Sequence, residues 1–141
     1  MRLGWLDKRL ASYKTQTKKN RHFLQSLGHA LDGALLVVKN ERNMRFHILM
    51  SVVTIGLGLY LGIGRADWLW IAVAITSVIT AEFLNTIVEA LVDLTIGSRY
   101  DAMAKTAKDV AAGSTLLAAG FAVVIGILIF EPYVRYWIQT H

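Results

Sequence analysis

The stretch AEFLNTIVEALVD, residues 81–93, decides how this chain is read. It sets Glu82, Glu89 and Asp93 in a run that is otherwise apolar except for Asn85 and Thr86. Upstream the run continues without a charge to Trp68, so the acids fall inside a candidate membrane span. An ionisable side chain at membrane depth costs about 2.5–3.5 kcal/mol on insertion scales, and is a functional hypothesis by default. On a helix at 100° per residue, positions 82, 85, 89 and 93 fall within roughly 80° of one another. They form one polar stripe.

Outward from this stripe, three segments are long enough, or nearly so, to cross a bilayer that needs about 20 helical residues. They cover approximately 46–64, 68–94 and 110–130, and the first and third hold no Asp, Glu, Lys or Arg. The chain has 141 residues, room for one domain, is 55% hydrophobic and contains a single proline, which favours long helices. It has no cysteine, so disulfides, thiolate catalysis and Cys-ligated metal sites are excluded. The expected fold is an all-α integral membrane protein.

Ten of the fifteen Lys and Arg residues precede Phe46, and Arg99, Lys105 and Lys108 lie between the second and third spans. By the positive-inside rule the N-terminus and that loop are cytoplasmic. The formal charge of +5 therefore points to an anionic membrane face rather than to nucleic acid. Residues 1–20 read as a flexible basic tail with no cleavable signal, ahead of a membrane domain over 21–141. Within 22–40, Phe23, Leu24, Leu27, Leu31, Leu35 and Val38 recur at helical spacing, which predicts an amphipathic helix on the membrane surface. Trp68, Trp70, Tyr133, Tyr136 and Trp137 cluster at the far ends of the spans, as interfacial aromatics do.

The charged residues near the membrane converge on the cytoplasmic side. Glu41, Arg42 and Arg45 end the surface helix, Glu89 and Asp93 close the second span, and Lys105, Lys108 and Asp109 precede the third. Glu82 lies about 10 Å deeper than Glu89, two helical turns away. Two carboxylates together with phosphate oxygens suit Mg²⁺, and a lysine supplies a point charge for phosphate. A deeper carboxylate in apolar surroundings suits a general base near neutral pH. These are the parts of phosphoryl transfer to a hydroxyl at the lipid boundary. No Walker-type or kinase-type glycine loop is present.

The segments ERNMRFH (41–47), AEFLNTIVEALVD (81–93) and AKDVAAG (107–113), in that order, resemble the signature segments of the prokaryotic diacylglycerol kinase family, and most closely its Gram-positive undecaprenol kinase branch. The likeness covers roughly residues 21–130. It implies a homotrimer with a surface helix and three membrane helices per protomer, and active sites shared between protomers. It implies that Glu82 is the catalytic base, that Glu41 and Glu89 hold Mg²⁺ on the phosphates of ATP, and that Lys108 and Asp109 contact the nucleotide. By the same resemblance Asn85 supports Glu82, Ala112 joins them in the lipid site, and Arg99, Tyr100 and Asp101 border the nucleotide. His29 stands where the family usually has an aromatic residue against adenine.

The expected reaction is transfer of the ATP γ-phosphate to undecaprenol. Diacylglycerol as the acceptor, and a non-catalytic membrane assembly protein, are the alternatives. Residue by residue, Glu82 can also be a structural acid bonded to Asn85, Glu89 a side chain reaching for water, and Glu41 a surface partner of Arg45 at i+4.

Overall fold

The computed structural model of the chain describes residues 23–97 and 99–140. The basic tail, Arg21, and His22 at the expected start of the first helix, along with Ser98 and His141, lie outside the described residues. Four helices follow in order: α1 Phe23–Asn40, α2 Arg42–Leu61, α3 Arg65–Ile96 and α4 Ala102–Thr140. No strand occurs among the described residues. The chain divides into two units, Met1–Leu36 and Val37–His141.

In the first unit the described residues are those of α1 up to Leu36. Its apolar positions Phe23, Leu24, Leu27, Leu31 and Leu35 are all exposed, and the helix has no buried residue. The predicted amphipathic pattern is therefore present as an open apolar stripe.

In the second unit, α2, α3 and α4 are each long and apolar enough to cross a membrane. In hydrocarbon every backbone N–H and C=O must bond within the segment, which is why these sequences resolve into unbroken helices. At about 1.5 Å per residue α2 spans about 30 Å, a bilayer core, while α3 and α4 run well past it. The third helix was expected over about 110–130; it begins at Ala102 and continues through Pro132 to Thr140. Pro132 withdraws the N–H that would reach the Leu128 carbonyl and crowds that carbonyl with its ring, yet the helix continues beyond it. The polar stretch before the third span is part of the same helix from Ala102 onward.

Most of the packing is between α3 and α4, with α2 set against both. The α2–α3 turn is made at Gly62, whose φ of +64° an L side chain rarely adopts, and its N–H bonds the Gly58 carbonyl. Beyond it Ile63, Ile71 and Ile129 form an apolar cluster, with Trp68, Ile75, Ile125, Phe130 and Tyr133 against it. One polar clasp closes this end. The Tyr133 hydroxyl donates to Asp67 Oδ2 at 2.6 Å and accepts from the Gly64 N–H at 3.0 Å. Asp67 also sits in the first turn of α3, where a carboxylate suits the helix dipole.

Buried positions on α3 are Ile71, Ala74, Val78, Glu82 and Asn85, at successive steps of three, four, four and three. One stripe thus begins as aliphatic packing and ends as an acid and an amide.

Gly58 packs under Trp68: a Cβ there would lie 2.9 Å from Trp68 Cη2 and 3.0 Å from Ile63 Cδ1, whereas a Cβ at Gly56 meets nothing within 4 Å. Gly58→Ala is expected to lower stability by about 1–3 kcal/mol through overpacking. Gly56→Ala is expected to be neutral or to gain up to about 1 kcal/mol in helix propensity. Unfolding midpoints in detergent micelles check the ranking; the opposite order would show that the α2–α3 turn does not pack this closely.

Candidate active site

The site is assembled on the polar half of the α3 stripe. Glu82 is 1% exposed, and with Met44 of α2 it is the largest side chain withdrawn from solvent. Neither of its oxygens has a hydrogen-bond partner among the described residues. The groups that act on it electrostatically are His47 and Glu41 from the start of α2 and Glu89 two turns along α3. Across the packing seam, Thr115 of α4 turns its hydroxyl toward the carboxyl, but closes no hydrogen bond of standard geometry.

Asn85 lies one turn from Glu82 and is 6% exposed. Its Nδ2 donates to Glu89 Oε1 at 2.9 Å, and its Oδ1 is buried without a partner. Within this chain Asn85 therefore holds Glu89 and leaves Glu82 unbonded. More than about 90% of buried polar groups in folded proteins are paired, so this concentration of orphans calls for an explanation. An ionised carboxylate and an amide oxygen only accept hydrogen bonds. The pocket therefore calls for a donor such as an alcohol O–H.

Glu41 occupies the single extended residue between α1 and α2, with φ −93° and ψ 118°. Arg45, its possible i+4 partner, instead donates to the Lys39 carbonyl at 2.9 Å, and no ion pair to Glu41 exists among the described residues. That leaves the half-buried Glu41 carboxylate uncommitted. No group of three or more His, Asp or Glu gathers among the described residues. Glu41, just ahead of α2, and Glu89 of α3 act on the same carboxyl. Two carboxylates completed by phosphate oxygens and water are what Mg²⁺ takes, so the donor set fits that ion when a phosphate is present.

At the mouth of the site Lys108 pairs with Asp93 at 2.5 Å, and Lys105 with Asp109 at 3.3 Å. Asp93 is itself well exposed, and through Lys108 it links the end of α3 to the start of α4. Both pairs are substantially exposed, and such pairs contribute about 1 kcal/mol or less, so an incoming phosphate can take the lysine. Arg99, Tyr100 and Asp101 form the exposed connection between α3 and α4. Asp101 Oδ1 accepts the Ala104 N–H at 2.9 Å and so starts α4 as its cap. Ala112 is exposed beside the buried Ala111, and His29 lies exposed on α1 in the other unit.

Thr115 is the site residue that the sequence pattern did not single out. The available signal was its spacing: seven residues beyond Lys108, it shares that residue's helix face two turns deeper.

Residues 28–130 match the family described as prokaryotic diacylglycerol kinase. The undecaprenol kinase of Bacillus subtilis is 33% identical over 119 residues, covering 84% of this chain and 96% of that protein. A diacylglycerol kinase of Synechocystis is 36% identical over 111 residues, covering 79% of this chain and 63% of that protein. A diacylglycerol kinase of Haemophilus influenzae is 28% identical, covering 77% and 93% respectively.

Burial of an unsatisfied carboxyl is destabilising, so Glu82→Met, which fills the same space with an apolar chain, is expected to raise stability by about 1–3 kcal/mol. Reversible unfolding in micelles measures it. A lower midpoint would mean that the carboxyl is satisfied by a group outside the described residues.

Proposed function

The chain belongs to the prokaryotic diacylglycerol kinase family, and we propose from that premise that it transfers the γ-phosphate of ATP to the hydroxyl of undecaprenol. It is a multi-pass membrane protein of a lipid-kinase family. The observation that carries the proposal is the Glu82 carboxyl, buried and unpartnered at membrane depth between Glu41, Glu89 and Thr115.

Glu82 accepts the proton of the lipid alcohol as the alcohol oxygen bonds to the γ-phosphorus and the bond from that phosphorus to ADP breaks. The product is undecaprenyl phosphate, and Glu82 returns its proton to water after release. Mg²⁺, held by Glu41 and Glu89, supplies neutralisation of the phosphate charge when bound. Asn85 fixes the Glu89 carboxylate through its Nδ2 and offers its Oδ1 to the incoming hydroxyl. Lys108, released from Asp93, supplies positive charge to the phosphates. Asp109, Arg99, Tyr100, Asp101 and His29 border the nucleotide, and Ala112 leaves space for the lipid chain. Residues 21–141 act as the membrane kinase domain and residues 1–20 as its tail. The N-terminus is cytoplasmic, α1 lies on the membrane surface through its open apolar stripe, and three protomers complete each other's sites.

The choice of undecaprenol is supported by the Bacillus subtilis relative, which this chain matches along almost that protein's whole length. Diacylglycerol is the second reading, supported by the relatives named for it. Both acceptors offer a hydroxyl at the same depth.

Labelling of each lipid by ATP in mixed micelles tests the proposal. Glu82→Gln is expected to lose about 10²–10⁴-fold in turnover, the range for a positioned base, while ATP still raises its melting temperature. Glu89→Ala is expected to lose that stabilisation. Wild-type turnover in folded Glu82→Gln would remove the base from the mechanism. Labelling of diacylglycerol alone would replace the substrate, and labelling of neither lipid would favour an assembly protein.

A further inference from the structure

Hydroxyls in membrane helices usually bond back to their own helix, and this chain follows the habit. Ser51, Thr54, Ser77, Thr86, Thr95 and Thr106 each donate to the carbonyl four residues earlier, at 2.7–3.0 Å. Thr115 does not. It is more deeply buried than any of these, at 8% exposure, yet its hydroxyl is unpartnered. The carbonyl it would use, that of Ala111, already accepts the hydroxyl of the neighbouring Ser114 at 2.6 Å. Thr115 is left facing the Glu82 carboxyl, which is likewise unpartnered on both oxygens.

We propose that Thr115 is a positioning residue for Glu82: its O–H donates to one carboxylate oxygen and so presents the other to the acceptor alcohol. The proposal rests on the kinase reading given above. The donor count supports the direction of the bond. An ionised carboxylate cannot donate and a hydroxyl can, so Thr115 satisfies one oxygen and the lipid O–H the other. When the alcohol oxygen bonds to the γ-phosphorus, its proton passes to the Glu82 oxygen that Thr115 does not occupy. Without the threonine hydroxyl the plane of the carboxylate is not fixed, and orientations that aim neither oxygen at the alcohol become populated. The loss therefore falls on turnover and not on binding of ATP. Lys108, on the same face of α4 and two turns nearer the helix start, places both contributions of this helix in one line from phosphate to hydroxyl.

The experiment compares Thr115→Val, which keeps the shape and removes the hydroxyl, with Thr115→Ser, which keeps the hydroxyl. Two readouts are taken: kcat and the KM for ATP in lipid labelling, and the infrared carboxyl band that Glu82→Gln abolishes. Thr115→Val is expected to lower kcat roughly tenfold, the scale of one hydrogen bond to a charged group, with the KM for ATP unchanged and the band shifted. Thr115→Ser is expected to restore both. Unchanged kcat and band in a folded Thr115→Val protein would overturn the proposal and leave the kinase intact. A band shifted in Thr115→Val, with a wild-type protein that labels no lipid, would remove the kinase reading while leaving the contact. Equal losses in Thr115→Val and Thr115→Ser, accompanied by a lower melting temperature, would make Thr115 a packing residue and overturn the proposal.

Discussion

Hydrocarbon offers a polar atom no partner, and this constraint shapes each helix of the bundle and the site within it. Backbone groups meet it by closing into unbroken helices. Side chains meet it by bonding back to their own carbonyls, as Ser51, Thr54, Ser77 and Thr86 do. Among the described residues, four buried side-chain atoms escape both solutions: the two oxygens of Glu82, Asn85 Oδ1 and Thr115 Oγ1. A fold that satisfies its polar groups elsewhere and leaves these together holds a place for something else to bond. That place is where α3 packs against α4, with the start of α2 alongside.

The rest of the bundle keeps this pocket in register. At one end the Asp67–Tyr133–Gly64 clasp and the isoleucine cluster join α3 to α4 and fix the α2–α3 turn. At the other the Lys108–Asp93 pair joins the same two helices, too exposed to add much stability but well placed to give way to phosphate. Between them the buried face of α3 passes from Ile71, Ala74 and Val78 to Glu82 and Asn85 with no change of helical register. The apolar half secures the helix, and the polar half inherits its rigidity. This is how a site for a charged reaction is held on a scaffold that carries little charge.

Asn85 illustrates how the site is coupled. One side chain bonds Glu89 with its amide nitrogen and keeps its oxygen buried without a partner, one turn from Glu82. In the proposed mechanism the residue that orients the phosphate-side carboxylate thus lies next to the carboxylate assigned to the alcohol. Phosphoryl transfer depends on positioning and charge stabilisation more than on covalent participation by the protein.

Much of this was legible in the chain itself. Span lengths, the amphipathic pattern of α1 and the inward acid stripe of AEFLNTIVEALVD are local properties, set by helical periodicity and by the cost of charge in hydrocarbon. Three ordered motifs were enough to indicate the family. What sequence could not supply was the pairing of side chains on different helices. That Asp93 meets Lys108, that Asn85 turns to Glu89, and that Thr115 gives up its own helix to face Glu82 follow from the register of α3 against α4 and from which rotamers the packing leaves open. Helical spacing fixes which residues share a face; only the contact between helices decides what each face meets.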